Sequence, residues 1–435
     1  LRNHFLLLLL LFSFAGCVSQ KTITGSKKLS REVLSSDLNK NQFLGIKIIQ
    51  AQNGESILEY NSGKYFTPAS VTKILTFYVA DQIIRDSIPT LIYCHTDDTL
   101  YIRGLGDPTF LHPDFGTQNA FDFLQLSGKV IALESSEMED EKYGPGWAWD
   151  DYPYYFQPEK SSFPIYGNCL WIGKDSMENE IRIIPKSLDL TWNQSIDYLK
   201  KPKASRIQNA NHFEYLFSEL PIEIDETVPF IVSDSLMLDL LKDTLNNEVV
   251  NGYFPMLCSQ NIICNYPKDS VFKKLLVDSD NFIAEQLILS SSHQTFGLFD
   301  SEKMMDFALE EYFPVWQNKI KWRDGSGLSR YNMATPEFYA LLLKKIYDEN
   351  DWTRITDLFP DGGSEGTLKN FLFNDRPFVI AKSGSMTGVY NLCGYLLTDS
   401  GNTLIFSIMN NNFNKPVREV KREVEKLLFY LKSEY

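Results

Sequence analysis

Apolar and polar positions fall into distinct rhythms along this chain, and each rhythm predicts an element. FLGIKIIQ from Phe43 and ESILEY from Glu55 are apolar runs on either side of Asn53-Gly54, the strongest short hairpin signal. Val71, Ile74, Leu75 and Val79 recur at helical spacing, so Ser70 and Lys73 fall in the first turn of a helix. A second helix opens near Ser279, with Phe282, Ile283, Gln286, Leu287 and Ser290 at helical steps. A third is TPEFYALLLKKIYDE, with Thr335 as N-cap and Pro336 in the first helical position. PFVIAKSG, NLCGYLLT and TLIFSIMN then read as strands, the last two joined by a hairpin turn at Asp399–Asn402. Pro416 opens a final amphipathic helix whose stripe is Val417, Val420, Val424, Leu427, Leu428 and Leu431.

Two stretches break this pattern. Residues 96–265 are rich in Tyr, Trp, Pro and acidic side chains, with short apolar runs between turns. They read as an inserted, mixed but mostly β region. The N-terminus has Arg2 and His4, then an unbroken apolar run from Phe5 to Phe12. That run is too short to span a bilayer, which takes about 20 residues, but suits a signal peptide. Phe14-Ala15-Gly16-Cys17 resembles a bacterial lipobox, with Phe where Leu is usual. The expectation is export, lipidation of Cys17, and anchoring to a membrane on its periplasmic face rather than spanning it. Polar residues 18–30 then read as a tether.

Composition narrows the chemistry. Lys+Arg 42 against Asp+Glu 56 gives −14, which argues against nucleic acid as a partner. The five His are scattered, and neither HExxH nor CxxC occurs, so no dedicated zinc site is expected. Aromatics at 14% fit a core as well as a groove, so they assign nothing alone. Beyond Cys17 the cysteines are Cys94, Cys169, Cys258, Cys264 and Cys393. Export permits disulfides, and the odd number leaves at least one thiol outside any internal pairing. Spacing does not give the connectivity.

Three short motifs stand in a fixed order: Ser70-Val71-Thr72-Lys73, Ser279-Asp280-Asn281 and Lys382-Ser383-Gly384. Ser and Lys three apart on a helix share a face, so the amine reaches the hydroxyl. A lysine base must be neutral for part of the time, and burial or a second cation lowers its pKa. An S-x-N loop adds a second hydroxyl and an amide. A Lys on an edge strand can present a cation to a carboxylate beside an extended substrate. Each motif alone is weak. Ser270…Lys273 is a second S-x-x-K, and S-x-N recurs at Ser259…Asn261 and Ser400…Asn402. Order and context select the set.

The set, with PASVTKILT, SDNFIAEQL, WRDGSGLSRYNMATP, GSEGTLKNF and AKSGSMTGVYNLCGYLL, resembles the D-alanyl-D-alanine carboxypeptidase/endopeptidase family of the penicillin-binding protein 4 type. YIRGLGDPTF and SSFPIYGN extend the likeness into the insert. The resemblance implies an α/β (α+β) penicillin-binding fold, like that of serine β-lactamases and transpeptidases. An antiparallel sheet is flanked by helices, a helical subdomain carries S-x-N, and a large β-rich insert projects from it. The expected organisation is a signal peptide at 1–16, a tether and start of the body at 17–42, a catalytic domain at 43–95 with 266–435, and an insert at 96–265.

By position, the resemblance makes Ser70 the nucleophile, Lys73 its base, and Ser279 with Asn281 the relay and orienting pair. Lys382 and Ser383 would bind the substrate carboxylate, and Ser385 would also bind substrate. The backbone N–H groups of Ser70 and Ser385 would form the oxyanion hole. Asp280 would prop its loop, and Asp324–Gly327 would lie beside the site. The expected substrates are peptidoglycan stem peptides, with β-lactams as covalent inhibitors. The acyl transfer that the resemblance implies would need no metal or organic cofactor. K-S-G stands for the commoner K-T-G, and Glu365 replaces an Asp in the G-x-D-G-T-L pattern. Three alternatives stand beside this reading: a serine β-lactamase, a catalytically weak wall-binding lipoprotein, and an S-x-x-K esterase or amidase. Tyr166-Gly167-Asn168 also matches the tyrosine motif of another β-lactamase class. Its place in a turn-rich insert argues for chance.

Overall fold

In the computed structural model the described residues are 23–435, without 117, 175–176, 178–179, 198–200, 222 and 373–375. Cys17 and the lipobox lie outside them. Among the described residues no helix is long and apolar enough to cross a membrane.

The central layer is a six-stranded antiparallel sheet. Its order is Ile23–Gly25, Ser56–Tyr60, Phe43–Gln50, Thr403–Asn411, Val389–Leu397 and Val379–Met386. The predicted hairpins at Asn53-Gly54 and at 399–402 both form, and Lys382 lies on the edge strand. The middle strands are buried along almost their whole length because both faces are covered. Cys393, Tyr395, Ile405 and Met409 face a core made with helices Lys73–Ile83, Lys268–Val277, Asn281–Phe296, Ser301–Tyr312 and Pro336–Glu349. Leu392, Leu396, Leu404, Phe406 and Ile408 alternate with them and face the C-terminal helix Val417–Glu434. That helix buries Val420, Val424, Leu427, Leu428 and Leu431, and leaves Val417 exposed.

The stretch between the first two motifs builds three further sheets around its own core. Their mixed, mostly β character agrees with the sequence pattern. The expected limits at 96 and 265, however, fall inside one of these sheets. Strand Ser87–His95 pairs with both Thr99–Gly104 and Asn261–Pro267, so Leu91 and Tyr93 serve the insert's core while Ile88, at its start, stays in the body's. Cys94 on that strand is disulfide-bonded to Cys258, with Cα atoms 5.9 Å apart, while Cys169, Cys264 and Cys393 are free.

The tether must be shortened. Ile23–Gly25 pairs with Ser56–Tyr60, and a helix runs over Lys27–Ser35. Ser26 caps that helix by accepting from the Leu29 N–H, and Leu29 and Val33 are buried under the C-terminal helix's side of the sheet. Its two apolar anchors among charged residues gave too short a stripe to be read as a helix. This helix belongs to the folded body, so Leu29→Ala should cost about 2–5 kcal/mol in a denaturant melt. A tether residue would tolerate the change without a shift in midpoint.

Candidate active site

The site begins at a tight turn. Ala69 has positive φ (51°), and residues 69–72 form a 3-10 turn running into helix Lys73–Ile83. A 3-10 turn has three residues per turn, so side chains three apart eclipse. Ser70 and Lys73 are therefore aligned, and Lys73 Nζ lies 3.1 Å from Ser70 Oγ. The turn is held from the sheet side by Asn391, whose side-chain N–H groups donate to Thr67 O (2.9 Å) and Pro68 O (2.7 Å). Asn391 Oδ1 in turn accepts from the Asn410 N–H.

The edge strand closes against this turn at Gly384. A methyl group there would stand 2.6 Å from Pro68 O, 2.8 Å from Val71 N and 2.9 Å from Ser70 N. Only glycine allows so close a backbone approach. Ser385, the next residue, is exposed and lines the same cleft as Ser70.

The second motif grips both lysines. Asp280 is the N-cap of helix Asn281–Phe296, accepting from the Ile283 N–H at 2.8 Å, which is the propping role expected of it. Ser279, just before it, has φ 62°. Ser279 Oγ accepts from Lys382 Nζ at 2.8 Å. Asn281 Oδ1 accepts from Lys73 Nζ at 2.6 Å, and Asn281 Nδ2 donates to Phe156 O of the insert at 2.9 Å.

The loop at Asp324–Gly327 completes the surroundings. Ser326 O accepts from Lys73 Nζ at 2.7 Å. The loop's N–H groups are occupied by carboxylates: Glu285 accepts from Gly325 and Ser326, and Asp324 from Gly327 and Ser329. Asp324 also accepts from Trp147 Nε1 at 2.8 Å, tying the insert to the loop. A Cβ at Gly327 would stand 2.0 Å from Ala69 O, so this loop and the Ser70 turn are packed backbone to backbone.

Electrostatics follow from burial. Lys73 is fully buried, and desolvation pushes its pKa down to about 8 against Asp324, Asp280 and Glu285, which hold it up. Burial, then the field of Lys73, push Lys382 well below the ordinary lysine range. Burial and the Asp324 charge push Glu285 up to about 7. A neutral Lys73 has two N–H groups and one lone pair. Asn281 Oδ1 and Ser326 O are pure acceptors and take the two N–H groups. The lone pair is then left for the Ser70 hydroxyl.

Every sequence-predicted residue within the described region gathers here, with one change of orientation. Lys382 was expected to meet a carboxylate, yet it is fully buried behind Ser279, its Nζ committed to Ser279 Oγ and Ser383 O. Ser383 Oγ donates to Thr367 Oγ1 at 2.8 Å, and Thr367 lines the cleft. Glu365, the departure in that loop, points outward to Lys273 (3.9 Å), which accounts for the second S-x-x-K as a surface feature. Tyr166 is equally remote in role: its hydroxyl pairs with Thr244 Oγ1, and Asn168 braces the turn through Glu159 O and Ser161 Oγ. Sequence reasoning missed Asn391, Glu285 and Thr367. The signal available for Asn391 was a lone amide in an otherwise apolar strand.

These groups open into a cleft of about 1080 Å³, lined by both the body and the insert. The D-alanyl-D-alanine carboxypeptidase DacB of Haemophilus influenzae is 21% identical over 450 aligned residues, covering 92% of each chain. Penicillin-binding protein 4 from Haemophilus influenzae superposes with a TM-score of 0.74 at 18% identity, over 94% of this chain and 100% of that one. The penicillin G-acylated Bd3459 endopeptidase of Bdellovibrio bacteriovorus gives 0.52 at 14% identity, over 90% and 94%. These likenesses establish the penicillin-binding fold. The model of the D-Ala-D-Ala carboxypeptidase 3 (S13) family matches residues 26–230 and 266–430, most of the chain. With a serine, a buried lysine and a third hydroxyl held in one cleft, the protein belongs to that family and is a serine-type hydrolase.

Proposed function

We propose that Ser70 attacks the peptide bond before a terminal D-Ala, or a cross-link, in peptidoglycan stem peptides. The observation that carries this reading is the Lys73 amine at 3.1 Å from Ser70 Oγ, with its other two hydrogen-bond directions fixed by Asn281 and Ser326. Lys73 takes the Ser70 proton as Oγ bonds to the carbonyl carbon. The carbonyl oxygen gains charge and is met by the N–H groups of Ser70 and Ser385, each worth about 2.7–4 kcal/mol by analogy with other acyl-transfer sites. As the C–N bond breaks, the proton taken up by Lys73 is passed on to the leaving nitrogen through the Ser279 hydroxyl, which Lys382 holds from behind. Ser383 and Thr367 offer hydroxyls to the substrate's terminal carboxylate. Water then hydrolyses the acyl-enzyme and restores Ser70.

β-Lactams present a reactive amide to the same hydroxyl, and a penicillin-acylated relative shares the fold. Export with lipidation at Cys17 fits a substrate outside the cell. A Cys17→Ser protein should lose labelling by a fatty-acid probe in cells and remain active. Retained labelling would place the lipid elsewhere.

A Ser70→Ala protein should keep its far-ultraviolet circular dichroism and lose all labelling by fluorescent penicillin. Retained labelling would refute the assignment. The pH dependence follows from Lys73. The reactive form is neutral, and its pKa lies at about 8. Acylation measured by stopped flow should therefore rise through that pH and fall about tenfold per unit below it. A flat profile from pH 6 to 9 would exclude Lys73 as the base.

A further inference from the structure

The cleft extends past Ser279 along a wall that the proposed chemistry does not use. His112 lines it and is 3% exposed. Its Nδ1 accepts from the Asp114 N–H, so the ring proton of the neutral form sits on Nε2. Burial keeps that ring neutral by lowering its pKa. Nε2 has no hydrogen-bond partner among the described residues. Its edge is open because residue 167 is glycine: a Cβ there would stand 3.0 Å from Nε2 and 2.8 Å from Cδ2. The Tyr166-Gly167-Asn168 turn, which resembled a catalytic motif, thus leaves room beside a buried donor.

The surroundings have a definite chemistry. The half-buried ring of Trp171 packs edge-on to His112, with centroids 5.1 Å apart. Thr227 pairs with Trp171 across the sheet, Asp225 shares their face of the strand two residues away, and Glu226 between them also borders the cleft. Neither carboxylate is in a salt bridge among the described residues; burial raises the Glu226 pKa, the field of Lys203 opposes that rise, and the charge of Asp225 adds to it. Lys274 is already engaged by Asp114 (2.5 Å) and Asp278 (2.9 Å). One buried donor therefore faces the cleft beside two acids that have no ion-pair partner among the described residues. A ligand suited to it carries a carbonyl oxygen and a protonated amine.

Position decides what that ligand is. Ser279 is the group proposed to protonate the leaving nitrogen, and Asp278, Lys274 and His112 continue the wall beyond it. In the proposed reaction a single amino acid is fully used by the groups already assigned, its nitrogen by Ser279 and its carboxylate by Ser383 and Thr367. We propose that the His112, Trp171 and Asp225–Glu226 wall is a subsite for a leaving group longer than one amino acid. His112 Nε2–H donates to an amide carbonyl of that chain, and Asp225 and Glu226 take a free amine of the same chain, distinct from the scissile nitrogen, which is a neutral amide until it is cut. The subsite rests on the acyl-transfer reading of Ser70 and sets the preference between cleaving a cross-link and trimming a terminus.

The test compares two substrates: a pentapeptide ending in D-Ala-D-Ala, and a peptide dimer cross-linked from D-Ala to a side-chain amine. His112→Phe keeps the ring contacts with Phe115 and Trp171 and removes the donor. D225N/E226Q removes the acids at the surface without touching the core. Each should lower kcat/KM for the dimer about fivefold or more, with D-Ala release and penicillin labelling unchanged. The subsite is overturned if wild-type protein releases D-Ala but leaves the dimer intact, or if both substrates fall together or neither falls. Absence of penicillin labelling at Ser70 in the wild type would instead remove the reading beneath it.

Discussion

A lysine amine cut off from water must find its partners within the protein, and Lys73 finds three, two of them from distant parts of the chain. Ser70 is one turn away, Asn281 begins a helix in the second motif, and Ser326 lies in a loop beyond that helix. Burial alone would expel a charged amine or neutralise it. The surrounding carboxylates moderate this, so its pKa settles at about 8 rather than lower. The amine is thus near neutrality and aimed, two requirements that free lysine in water does not meet.

Aiming the amine requires rigid backbone rather than more side chains. Gly384 lets the edge strand lie against the Ser70 turn, and Gly327 lets the 324–327 loop reach the same turn from the other side. Ala69 and Ser279 both hold positive φ, a conformation non-glycine residues adopt at a cost of order 1–3 kcal/mol. Asn391, Asp324 and Glu285 spend their hydrogen bonds on backbone groups of these segments, which keeps the two turns in register. The site is therefore a junction of sheet edge, helix start and loop, with the insert contributing Trp147 and the Phe156 carbonyl.

Much of this was legible in the sequence. The hairpins, the Thr335-Pro336 helix start and the C-terminal stripe follow from local rules, since each signal lies within one element. The three motifs were legible because their residue types are chemically unusual together. What escaped had no local signature. The Cys94–Cys258 bond joins residues 164 apart, and spacing says nothing of such a pairing. The Lys27–Ser35 helix gains its stability from the sheet beneath it, so its own composition read as a tether. The inward turn of Lys382 depends on Ser279 standing in front of it, a relation between elements that spacing does not carry.

The account stands on Ser70, Lys73 and the edge strand sharing one working centre. A crystal structure of the protein soaked with benzylpenicillin tests this most directly. It should show a covalent bond from Ser70 Oγ to the opened lactam carbonyl, with that carbonyl oxygen between the amides of Ser70 and Ser385. An adduct on another side chain, or a Ser70 ester whose oxygen points away from the edge strand, would contradict it.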